Sequence, residues 1–72
     1  MTNGDETAEP GIVRADEIER DDHHAGWNQA LKRALENVPD SWHGEELNVR
    51  YAVVTTKNPG SVHEYKVYLG PR

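Results

Sequence analysis

The chain contains no cysteine. No disulfide can staple it, and no thiolate is on hand as a nucleophile or soft metal ligand. It has no apolar run approaching the ~18 residues of a bilayer-spanning helix. Its start shows neither a basic n-region nor an apolar h-region, so no secretory signal is read there and a cytoplasmic location is expected. Positive charge is scarce: eight Lys and Arg stand against thirteen Asp and Glu, a net −5. The deficit is local, with −6 in residues 1–24 and +1 in residues 25–72. A nearly neutral body with an acidic leader argues against nucleic-acid binding, which relies on cation–phosphate contacts. Neither a nucleic-acid nor a membrane partner is expected.

Apolar residues are few as well, 35% of 72 positions. A single domain of this size is marginal without disulfides or metal, so the composition calls for very efficient packing or for self-association. Residues 1–10 (MTNGDETAEP) carry no large apolar group and are expected to form a disordered acidic tail. Residues 11–72 are expected to form one small α+β domain.

What is present is a change of period. Trp27, Ala30, Leu31, Ala34, Leu35 and Val38 fall at the i, i+3, i+4, i+7 spacing of an amphipathic helix. Asp21 or Asp22 is positioned to cap it, Gly26 places its regular start near Ala25 to Trp27, and Pro39 ends it. Beyond Pro39 the period becomes two. Leu47, Val49, Tyr51 and Val53 share one strand face, as do Tyr65, Val67 and Leu69. Both core faces use odd numbers, and facing residues share a face, so the connecting loop must hold an odd number of residues. Asn58-Pro59-Gly60 satisfies this and pairs Val53 with Tyr65, Tyr51 with Val67, and Val49 with Leu69; Pro59 is not ideal in the middle of such a loop, and a five-residue loop is the alternative. The even face then sets Arg50 opposite Tyr68, Ala52 opposite Lys66, Val54 opposite Glu64 and Thr56 opposite Val62. Two strands and a helix make a thin sheet. A third strand is expected from Gly11–Glu19 (Ile12, Val13 and Ile18) or from a neighbouring chain; the first choice gives β-α-β-β, one helix packed on a small antiparallel sheet.

Three stretches carry a family likeness: Asp16-Glu17-Ile18, the helix from Trp27 to Leu35, and the strand Val62-His63-Glu64-Tyr65-Lys66-Val67-Tyr68-Leu69. They resemble the dodecins, small β-α-β-β proteins that assemble into hollow homo-oligomers and bind flavins. The resemblance implies the topology, self-assembly and a planar ligand. The dodecin position that stacks the flavin falls on Leu47 here, the one that contacts its ring falls on Lys66, and the last strand ends early at Gly70-Pro71-Arg72. Flavin is therefore one candidate cofactor whose contacts are not matched.

No reactive constellation stands out. Asp21-Asp22-His23-His24, His43 and His63 lack the spacing of a metal site. Ser41 and Ser61 sit at turns, and Glu45 and Glu46 enter a strand with carboxylates on opposite faces. The chain is read as no enzyme and as having no metal site. The half-apolar even face is the candidate for binding, because Tyr and Arg are favoured at interfaces: Arg50 and Lys66 to hold an anionic group, Tyr68 to stack, and Trp42, which has no periodic neighbour, to cap the core, join an oligomer interface or stack on a planar ligand. The expected function is a non-catalytic assembly or binding protein, a homo-oligomer holding a small planar or anionic ligand. The alternative is a monomeric or dimeric module that docks a protein partner on its exposed sheet face or strand edge.

Overall fold

The computed structural model describes residues 6–58 and 60–72. Strand β1 (Gly11–Arg14) leads through a 3-10 turn (Ala15–Glu17) to helix α1 (His23–Glu36). A second 3-10 turn (Asp40–Trp42) leads to the hairpin of β2 (Leu47–Lys57) and β3 (Ser61–Pro71). The sheet order is β1-β3-β2, with both pairings antiparallel. This is a small α+β fold with the β-α-β-β order, and the third strand comes from within the chain.

That strand stops at Arg14, short of the expected Gly11–Glu19, because the backbone N–H of Arg14 donates to the Glu17 carboxylate at 2.9 Å and closes the turn. Arg33 Nη2 holds the same carboxylate at 2.7 Å. The Arg33 bond first, then the Arg14 N–H, lowers the Glu17 acid to about 2. Of the tail, residues 1–5 lie outside the described residues, and residues 6–10 run on from β1 beside β3. Ala8 N–H donates to Leu69 O at 2.8 Å, and Asn37 Nδ2 donates to the carbonyls of Glu9 and Pro10 at 3.4 and 3.0 Å.

Helix α1 begins at His23, two residues ahead of the expected start. Asp22 caps it by accepting from Ala25 N–H at 3.0 Å. Gly26, read as a start signal, is instead a packing residue: a Cβ there would collide with the Tyr65 ring. Gly11 serves the same end opposite, since a Cβ on it would meet the backbone of Ala30 and Ala34. The helix thus settles tightly on β1 and β3, and it scarcely touches β2.

That placement corrects the expected stripe. Ala30, Ala34 and Val38 are buried and Trp27 is half-buried, but Leu31 and Leu35 are 38% and 43% exposed. Arg33 and Asn37 reach toward β1, with Arg33 Nη1 donating to Ile12 O at 2.8 Å. The opposite flank, with Leu31 and Leu35, therefore lies toward the side of the sheet the helix leaves bare. The buried core is Val13, Ala30, Ala34, Tyr65, Val67 and Leu69, with Ile18, Trp27, Leu47 and Val62 packed around it. Trp27 meets Tyr65 edge-on at 5.1 Å between ring centres.

Candidate functional site

The hairpin register decides which side chains share the outer face. At the turn, Lys57↔Ser61 and Thr56↔Val62 pair as the three-residue loop requires, with Pro59 of that loop outside the described residues. Val49↔Leu69 is also as expected. Between these ends the register is displaced by one: Val54 rather than Val53 faces Tyr65, and Ala52 rather than Tyr51 faces Val67. Two bulges cause it. One extra residue enters β2 between Val49 and Tyr51, and one enters β3 between Glu64 and Val62, so the displacements cancel at the ends. The extra residues are Arg50 and His63.

The outer face is corrected accordingly. Tyr51, not Arg50, lies opposite Tyr68; Val53, not Ala52, lies opposite Lys66; Thr55, not Val54, lies opposite Glu64. The rings of Tyr51 and Tyr68 meet edge-to-face, 5.7 Å apart at 87°. Arg50 still reaches this face through its bulge. It lies over Gly70, where a Cβ would collide with its side chain, and its Nη2 donates to Pro71 O. Lys66 Nζ sits 3.5 Å from Glu64 Oε1. The fold therefore brings Arg50, Lys66 and Tyr68 onto one surface and adds Tyr51, which the uniform alternation had assigned to the core. Trp42 is not on the sheet; it is half-buried in the turn Asp40–Trp42, its N–H bonded to Pro39 O at 2.9 Å.

This surface has cations on aromatic and aliphatic ground. Tyr51 is 62% exposed and Val53 40%. It offers ring edges and faces for stacking and two cations for an anion.

A second depression of about 460 Å³ opens between the residues after β1, the start of α1 and the hairpin tip. Ile18, Val62 and Tyr65 line its apolar part, with Asp21, His23 and Lys57 at its polar part. His23 Nδ1 and the Tyr65 hydroxyl are 2.6 Å apart. Burial, then the charges of Asp21 and Asp22, push the Tyr65 phenol above its ordinary value, so it holds its proton at neutral pH. Ser61 also lines the depression, but His23 is engaged with Tyr65. Among the described residues no group of three His, Asp or Glu converges as a metal set, and no helix is long and apolar enough to cross a membrane.

No known protein family, curated protein or solved structure matches the chain.

Proposed function

We propose that this chain is a non-catalytic assembly protein, a homo-oligomer that holds a small planar or anionic ligand on the outer sheet face through Arg50, Lys66, Tyr68 and Tyr51. One observation carries the reading. Among the described residues strand β2, eleven residues long, is paired on one side only and leaves apolar groups bare on both faces. Val49, Tyr51, Val53 and Val54 are 56%, 62%, 40% and 41% exposed. Contiguous apolar exposure of this kind marks a surface that another molecule covers. The β-α-β-β order, with the sequence likeness to dodecins, supports self-assembly; Leu47 and Lys66 at the flavin-contact positions favour a ligand other than flavin.

The test is the mass in solution, joined to a ligand assay. A multiple of the 8.1 kDa chain at micromolar concentration is expected. Arg50→Glu with Tyr68→Ala should abolish ligand or partner binding with the circular dichroism unchanged; wild-type binding by that double variant would remove the outer face from the account. Quenching of added riboflavin would identify a flavin, and its absence leaves other planar anions. The unpaired β2 edge also supports the second reading, a module that docks an extended segment of another protein by strand addition. A one-chain mass with a foreign peptide bound along β2 distinguishes it.

A further inference from the structure

The two edges of the sheet are treated differently. The β1 edge is four residues long and is closed by the helix, since Arg33 takes the Ile12 carbonyl and Asn37 takes those of Glu9 and Pro10. Coverage by a helix is one way an edge is kept from pairing. Among the described residues nothing covers the β2 edge in this way. Between Tyr51 and Thr56 it carries no charge and no proline, so its guards against strand addition are confined to the Arg50 bulge and the terminal Lys57.

The bulge fixes what can add. Arg50 and Tyr51 both stand on the outer side, one over Gly70 and the other against Tyr68. The helix-side residues of β2 are therefore Leu47, Val49, Ala52, Val54 and Thr56, facing Pro71, Leu69, Val67, Tyr65 and Val62. Facing residues of antiparallel strands must share a side. An antiparallel copy of β2 related by a two-fold axis at Ala52 meets this condition along the whole strand. Ala52 meets Ala52 of the second copy, Val54 meets Val49, Thr55 meets Asn48, and Thr56 meets Leu47. Val53 faces the bulge of Arg50 and Tyr51. At each end Lys57 meets the second copy's Glu46, an opposite-charge pair made twice. Moving the axis to Val54 would set Lys57 against Arg50 in the bulge, a like-charge contact. Moving it to Val53 would set Lys57 against Asn48 and lose the ion pairs.

We infer that β2 pairs antiparallel with β2 of a second copy about a two-fold axis at Ala52, giving a continuous six-stranded sheet with a β1 strand at each edge and both helices on one face. The inference rests on the assembly reading above and specifies its contact. A two-fold pairing uses the same edge of both copies, so it terminates instead of growing into a filament.

Single cysteines test it cleanly, because the chain has none of its own. Ala52→Cys in the full chain should form a disulfide-linked dimer under mild oxidation. Val54→Cys should not, since two such residues stand roughly 14 Å apart along this pairing, beyond disulfide reach. As a second readout, Lys57→Glu should weaken the dimer roughly tenfold, and Glu46→Lys with Lys57→Glu should restore it to about twofold of wild type. The existing Glu46–Arg72 pair, 2.6 Å and largely exposed to solvent, stays in Lys57→Glu and is removed by Glu46→Lys in free and paired chains alike, so it does not bias the double variant. A mass of two or more chains with Ala52→Cys unlinked, or with Val54→Cys linked as readily, overturns this pairing and leaves the assembly reading standing. A one-chain mass overturns both.

Discussion

At the scale of the residue, two glycines decide where the larger groups go. Gly26 lets the helix approach until the Tyr65 ring, 2% exposed, fills the space a Cβ would take. Alanine has the better helix propensity by ~1 kcal/mol, but overpacking against a fixed aromatic ring costs up to about 3 kcal/mol. Gly26→Ala should therefore lose about 2 kcal/mol in denaturant unfolding, and a gain would show that the helix has room to move. Gly70 makes the corresponding space for Arg50, and this is why the bulge can fold its side chain back over β3. Glu17 works by charge. Its acid is lowered from 4.5 to about 2 by Arg33 and the Arg14 N–H. A lowered carboxyl contributes stability above its unfolded value, and that contribution fades as pH falls toward its folded value. Glu17→Gln should thus melt below wild type at pH 7, with the gap shrinking between about pH 4.5 and 2. A gap unchanged down to pH 2 would exclude the ion pair as its source.

At the scale of the element, the helix, both hairpin strands and the three-residue loop are legible in the sequence because each is set by local period and turn chemistry. The bulges are not. The parity argument takes the pleat as uniform, and nothing in Val49-Arg50-Tyr51 signals that one residue will be passed over. Its consequence is the exchange of Tyr51 and Val53 for Ala52 and Val54 on the helix side. The helix stripe misleads in a similar way. Its apolar arc is wider than the two strands it covers, and the period says that Leu31 and Leu35 are apolar without saying what lies beneath them. Alanines, not leucines, take the central contact. Ala34→Leu should accordingly destabilise by about 1–3 kcal/mol, while Leu35→Gln should stay within ~1 kcal/mol at equal protein concentration. The reverse order, read by thermal unfolding, would return the core to the leucine face. Arg50, Lys66 and Tyr68 share one sheet face, although their cross-strand partners differ from those that uniform alternation gives, because the bulge leaves Arg50 on the same side as Tyr51.

At the scale of the whole molecule, the shape is a slab 46 Å long and only 18 by 14 Å across. One helix cannot cover a three-stranded sheet with an eleven-residue hairpin, and so the core closes over β1 and β3 alone. Among the described residues seven apolar side chains are buried, and the helix supplies only two of them, Ala30 and Ala34. A core that small, with no disulfide, is marginal for an independent domain. The bare strand β2 is where the missing burial can be made, and its antiparallel self-pairing adds backbone hydrogen bonds and apolar contact in one step. The central claim is that a second copy covers this strand. Sedimentation equilibrium across micromolar concentrations measures it most directly: the account predicts a mass of two or more 8.1 kDa chains, and a single-chain mass throughout that range would contradict it.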